Sequence, residues 1–214
     1  MVGGLAVVDR DLCVECDVCV RKEVCPFEAF VVEDLDAGRA LRHFLSDPTE
    51  SKGAGQIPGR GTEEAKTNDV TGRVKRGEVG FAVDMGRPGV GVWMVDVQKV
   101  AMALAAAGLV FEAKTPLVGL LADPTTGQLK EEYLHEHLLS IIIEGKCRLA
   151  DFPAVMAALR EVAGRIDTVF SLGLISRVDE KGATPLLDEM ARLGLPAPIR
   201  GKVNVGLGRP LVLD

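Results

Sequence analysis

The sequence predicts an α+β protein. A small cysteine-bearing module comes first, followed by a sandwich with helices on one face of an antiparallel sheet. Three observations predict it. Four of the five cysteines stand between positions 13 and 25. From position 78 onward, apolar runs of strand length alternate with segments of helical period. Two helix endings echo each other, Ala105-Ala-Ala-Gly108-Leu109 and Ala191-Arg-Leu-Gly194-Leu195, as two β-loop-α-β units require.

Composition bounds the function. The 214 residues are 47% hydrophobic and carry a net charge of −6, which suits a folded chain of one or two domains. The acidic balance argues against a nucleic-acid protein, whose affinity needs basic side chains to displace counterions from phosphate. Apolar runs such as Val100 to Phe111 fall short of the ~20 residues of a membrane helix. The first residues lack a basic stretch followed by an apolar one, so the start reads as mature protein and the chain as cytoplasmic.

The chain divides into a module at 1–36, a linker or binding loop at 37–77, and a sandwich at 78–214. In the module, Leu5 to Asp9 and Phe30 to Glu33 read as short strands flanking the cysteine loop. Ala37 to Gly77 shows no sustained period and collects glycine, proline and charge. Val79 to Met85 reads as a strand, and Gly86-Arg-Pro-Gly89-Val-Gly91 as a tight strand-to-helix turn whose amides offer, more weakly, a phosphate cradle. Asp96 then caps a helix with the stripe Val97, Val100, Ala101 and Leu104, closed by Gly108. A strand is expected within Phe111 to Leu121, and helices over Glu131 to Ile143 and Phe152 to Ala163. The second unit runs from a strand at Thr168 to Ile175, through a helix opened by Thr184-Pro185, to a strand at Val203 to Leu207. Gly208-Arg-Pro210 echoes Gly86-Arg-Pro88, which raises the prospect of Arg87 and Arg209 meeting on one anion. Helices on one face of a split βαβ sheet are also the architecture of ferredoxin-like and ACT-like domains, an analogy of fold alone.

The cysteines carry the chemistry. Cys13, Cys16 and Cys19 recur at intervals of three, and Cys25 precedes Pro26. Close neighbours are poorly placed to bridge one another, so a disulfide framework fits badly. A zinc site spaces its C-x2-C pairs with a longer gap between them. The order here is that of an iron–sulfur loop, in which each thiolate takes a different iron. One [4Fe–4S] cluster is expected on Cys13, Cys16, Cys19 and Cys25. Cys147 competes with Cys25 as fourth ligand, and an iron open to solvent is a further option.

Leu5 to Asp34 resembles the cluster module of bacterial ferredoxins. It departs from C-x2-C-x2-C-x3-C-P by two extra residues before Cys25, and there is no second cysteine motif. The cysteine loop, the segment Gly61-Thr-Glu-Glu-Ala-Lys-Thr-Asn-Asp-Val-Thr-Gly-Arg73 and the segment Glu78-Val-Gly-Phe-Ala-Val-Asp-Met-Gly-Arg-Pro-Gly89 together resemble 6-hydroxynicotinate reductase-like proteins. Whole enzymes of that family are expected to be longer, so this chain reads as a standalone paralogue or a subunit.

The resemblance implies electron transfer within a ferredoxin-dependent reductase acting on a CH–CH bond of a small aromatic or heterocyclic acid. Arg60, Lys66, Asn68, Arg73 and Arg87 are the candidates for binding the carboxylate, with Lys75 and Arg76 near them. Glu63, Glu64 and Asp69 are the candidates for proton transfer. Expected partners are a redox protein or other reductase subunits, within a homo-oligomer or complex, with no nucleic acid and no membrane. The alternative is a redox- or ligand-sensing ACT-like regulatory protein. Smaller signals count for less. His135 and His137, two apart, would diverge on a helix and cannot share a metal there. His43 is a minor proton-donor candidate, and Trp93 reads as core. Lys181-Gly-Ala-Thr184 resembles the end of a covalent flavin attachment sequence but lacks its serine or threonine, so flavin is without support and Thr184 reads as a helix cap.

Overall fold

A computed structural model describes residues 6–31, 33–47, 49, 72–87, 89–179 and 181–197. Within them a four-stranded antiparallel sheet forms the frame. Its strands are β1 (Glu78–Met85), β3 (Val110–Phe111), β7 (Ile141–Arg148) and β8 (Phe170–Ser176), in the spatial order β3-β7-β1-β8. β1 pairs with β7 from Glu78↔Arg148 to Met85↔Ile141 and with β8 from Val79↔Ser176 to Met85↔Phe170. β2 (Val92–Trp93) pairs separately with β6 (His137–Leu138), and β4 (Leu121–Asp123) with β5 (Gln128–Leu129).

Alternation along the inner strands explains the core. Val79, Phe81, Val83 and Met85 of β1 and Ile143 and Cys147 of β7 share one side, and all are buried. Against them pack α3 (Met94–Ala106) and α5 (Phe152–Ala163). The predicted stripe holds, with Val97, Val100, Ala101 and Leu104 of α3 at 0% exposure. Phe81 meets Phe152 with ring centroids 5.9 Å apart. Burying one such ring contributes about 2–3 kcal/mol. Gly108, at φ 97°, closes α3 as expected, and Leu109 N–H returns to the Leu104 carbonyl at 3.0 Å. α6 (Pro185–Arg192) also starts and stops where the sequence placed it.

Several expectations are corrected. Ala37–Ser46, read as part of an aperiodic linker, is a helix, α2, whose N-cap Asp36 accepts the Arg39 N–H at 2.9 Å. It sets Leu41 and Leu45 on the core and turns Arg39, Arg42 and His43 to the cysteine loop, so its apolar signal is one i,i+4 pair rather than a stripe. The helix expected over Glu131 to Ile143 is one 3₁₀ turn at Glu131–Tyr133, then β6, then β7. The β-branched run Ile141-Ile-Ile143 belongs to an inner strand covered on both faces, where apolar residues run on without alternation. Phe111 to Leu121 supplies a two-residue edge strand and a short helix, α4 (Pro116–Leu120), because Pro116 opens a helical turn there. Leu5–Asp9 and Phe30–Glu33 form no ladder among the described residues. Asp96 lies inside the first turn of α3, which Trp93 precedes as cap residue, and its buried carboxylate takes Lys99 Nζ at 2.7 Å and Asp167 N–H at 3.0 Å. A further helix, α5, runs between β7 and β8 and packs on the same core as α3. Val203 to Leu207 and Gly208-Arg209-Pro210 fall outside the described residues.

Candidate functional site

The cysteine loop has an unusual backbone. Glu15, Asp17, Glu23 and Glu28 hold φ between 47° and 54°, and among the described residues every non-glycine positive φ is one of these four. Each costs of order 1 kcal/mol, so the conformation must be imposed from outside. Asp17 leads into α1 (Val18–Arg21), a single turn carrying Cys19.

At Glu15 and Asp17 the brace is α2. Residues at i, i+3 and i+4 of a helix share a face, and here Arg39, Arg42 and His43 turn theirs toward the loop. Arg39 Nε reaches the buried Glu15 carboxylate at 2.9 Å. Arg42 donates to the carbonyls of Arg10 at 2.6 Å and Cys13 at 3.0 Å, while its Nε meets Glu136 at 2.5 Å. His43 Nδ1 lies 3.0 Å from the Glu15 carbonyl. From the loop itself, Arg21 spans the Cys16 carbonyl at 2.5 Å and Asp47 at 2.6 Å. On the far side His137 Nδ1 approaches the Leu12 carbonyl at 2.9 Å, and its ring stacks on Trp93 with centroids 4.6 Å apart. His137 is therefore a half-buried docking residue on β6 rather than a solvated helix histidine. Trp93 is half-buried beside it and not core.

The sulfurs are free thiols: Cys13, Cys16 and Cys25 are half-buried and Cys19 is exposed. The amides of Ala29 and Phe27 point at the Cys25 sulfur and hold its pKa below the ordinary thiol value. Burial pushes the Cys13 thiol up, and the Glu15 N–H, 3.4 Å from its sulfur, acts against that shift. Cys147 differs in kind. Burial, helped by the Asp151 and Glu78 carboxylates, pushes it to about 12. It pairs in register with Val79, six residues along β7 from Ile141, and so lies about 20 Å down the strand from the end nearest the loop.

Asp17, His43 and Asp47 bring ligand-type atoms within 4.8 Å of one another. Arg21 and both Thr49 donors already occupy the Asp47 carboxylate, at 2.6, 2.7 and 2.8 Å. The trio, tied to Arg21 through Asp47, is a polar network that braces the loop.

The anion-binding candidates do not converge. Arg73 sits before β1, 3.6 Å from Glu112, and its carbonyl takes Lys146 Nζ at 2.9 Å. Arg87 follows β1, 3.1 Å from Ser140 Oγ and 3.4 Å from Asp84. The strand between them spans about 23 Å, so one carboxylate cannot take both. A hollow beside Arg73, lined by Phe81, Glu112, Glu144 and Lys146, encloses about 50 Å³, well short of the roughly 300 Å³ at which ligand sites begin. Arg60, Glu63, Glu64, Lys66, Asn68 and Asp69 lie outside the described residues. At Gly86-x-x-Gly89-x-Gly91 the amides of Val90 and Gly91 both turn inward to the Gly86 carbonyl at 3.0 Å, which makes a tight turn. Thr184 precedes α6 in extended conformation, the cap position, without a side-chain cap bond.

Sequence reasoning missed the clamp of Arg39, Arg42 and His43. Its trace was present: basic residues at helical spacing after a capping Asp36, beside a loop rich in carboxylates. No described helix is long and apolar enough to cross a membrane. Comparison with family models, curated proteins and solved structures returned no match.

Proposed function

We propose that Cys13, Cys16, Cys19 and Cys25 hold one [4Fe–4S] cluster and that the chain is an electron-transfer protein or reductase subunit. The observation that carries the reading is the sulfur environment. Four thiols stand in one loop, backbone donors face two of them, and a basic helix fixes the strained backbone around them. Soft thiolates in that order suit iron–sulfur ligation, and N–H groups aimed at sulfur are a means by which proteins set cluster potential. When bound, the cluster supplies one-electron chemistry. The chain's own residues fix the ligand loop, through Arg21, Arg39, Arg42 and His43, and join it to the sandwich through Arg42–Glu136 and His137. Cys147, buried at the other end of β7, is left out of the ligand set.

Action on a small aromatic or heterocyclic acid, as in 6-hydroxynicotinate reductase-like proteins, rests on sequence resemblance. We place any such substrate with partner subunits or with the segment around Lys66, since Arg73 and Arg87 lie apart. Flavin gains no support.

The strand order favours a second reading of the sandwich. β1-α3-β3 and β7-α5-β8, interleaved with both helices on one face, make a split βαβ arrangement of ferredoxin-like or ACT-like type, which suits a regulatory domain responding to the cluster. Anaerobic reconstitution with iron and sulfide counts, followed by paramagnetic resonance during dithionite titration, tests both. About four irons and a reversible low-potential signal support electron transfer. A cluster that cannot be cycled supports the sensor, and zinc in place of iron rejects both.

A further inference from the structure

The charge of this chain is not spread over it. Residues 1–36 hold nine acidic and three basic side chains, and the remaining residues hold 22 of each, so the whole net charge of −6 belongs to the cysteine module. The acids also follow a pattern. Cys13, Cys19 and Cys25 each have the same two-residue prefix, an acid and then an apolar residue: Asp11-Leu12, Asp17-Val18 and Glu23-Val24. Those apolar side chains face solvent, with Leu12 58%, Val18 43% and Val24 58% exposed, and Phe27 beyond Cys25 reaches 87%. Asp11 and Glu23 are exposed, and the Asp17 side chain is 39% exposed. Large apolar side chains this exposed, among charges that are acidic by nine to three, mark an interaction surface.

We infer that the rim of the cysteine loop is the docking face for a redox protein bearing an apolar centre within a basic surround. The inference rests on the cluster reading and names the partner class for that site. Charge complementarity selects the occupant. Carboxylates repel nucleic acid and anionic membranes, and a second copy would bring like charges together. The apolar residues beside the cysteines supply short-range contact, and the acids steer the encounter and fix its orientation. A contact of this size is transient, in the range of redox encounter complexes below about 1,200 Å².

The test measures binding, not turnover. The anaerobically reconstituted chain is titrated with two probes sharing one haem: basic ferricytochrome c and its succinylated, acidic form. At about 10 mM salt, where charges act over some 30 Å, the basic form is expected to bind at least about tenfold more tightly, a preference that fades by about 0.3 M. Asp11→Asn, Asp17→Asn and Glu23→Gln together are expected to remove about tenfold of that affinity. Equal binding of the two probes, or self-association of the chain at low salt, overturns the inference. If the triple variant misfolds, Glu23→Gln alone and the salt dependence of the unaltered chain decide it. Iron is counted on the same samples. A cluster-free chain that keeps the preference refutes the cluster and leaves the docking face standing, whereas a cluster-loaded chain without it refutes the docking face alone.

Discussion

Replacing Arg42 by methionine should free the cysteine loop while leaving the sheet intact. The Arg42 and Glu136 side chains are 11% and 13% exposed, and the guanidinium also holds the carbonyls of Arg10 and Cys13. Methionine keeps the apolar stem and removes every donor. Hydrogen bonds to a charged group contribute about 1.5–3 kcal/mol each, and breaking a buried ion pair costs about 3–5 kcal/mol. Partial exposure lets water re-solvate Glu136, so a net loss of about 3 kcal/mol is the reasonable figure. That loss falls on local opening of the loop and corresponds to about 150-fold faster exchange. Native-state hydrogen exchange read by mass spectrometry compares the peptide around Arg10 to Cys16 with the β7 peptide Ile141–Arg148. The loop should lose protection and β7 should keep it. Loop protection within threefold of the unaltered protein would show that Arg42 does not hold the loop.

Three further outcomes follow from the same geometry. Gly38→Ala lies within α2, where alanine ordinarily adds about 1 kcal/mol; here the new Cβ meets the Glu136 carboxylate that Arg42 pins, so urea unfolding should show a loss of about 1 kcal/mol, and a gain would count against the clamp. In the cluster-free protein, iodoacetamide near pH 8 should modify the four loop thiols, Cys25 fastest, and spare Cys147 until unfolding; labelling of Cys147 at loop rates would contradict its placement. Burial acts to raise the Asp47 carboxyl pKa, but the Thr49 donors and Arg21 outweigh it, so the folded value lies below the ordinary one. A depressed folded value gives stability that is complete above the unfolded pKa and lost as pH falls through the folded one, so the Arg21 brace should loosen below about pH 4 and hold from about pH 5 to 8; loosening on the alkaline side would refute this.

The sequence spoke clearest where one period governs a buried face. Helix α5 begins and ends where predicted because Phe152, Val155, Met156, Leu159 and Val162 keep helical spacing against an apolar sheet. Strand β1 and the Gly108 stop were legible for similar reasons. Reading failed where packing is polar or two-sided. α2 packs only Leu41 and Leu45 against the core and turns Arg39, Arg42 and His43 to carbonyls and carboxylates, so a single apolar pair, not a stripe, marks it in the sequence. β7 is covered on both faces, and its run of isoleucine mimics a helix after Tyr133-Leu134. The cysteine spacing marked the loop as a candidate cluster site. It held little hint of the left-handed acids at 15, 17, 23 and 28, since glutamate at three of them has no preference for positive φ and only Asp17 is of a type enriched there. How far Cys147 stands from the loop also needed coordinates, because it depends on which end of β7 faces the loop.

The proposed ligand set, with Cys25 and without Cys147, is decided by metal content. The most direct test is iron and acid-labile sulfide counted after identical anaerobic reconstitution of the unaltered protein, Cys25→Ser and Cys147→Ser. About four irons are expected in the unaltered protein and in Cys147→Ser, and a depleted, unstable cluster in Cys25→Ser. A full cluster in Cys25→Ser with its loss in Cys147→Ser, or zinc in place of iron in the unaltered chain, would contradict that ligand set.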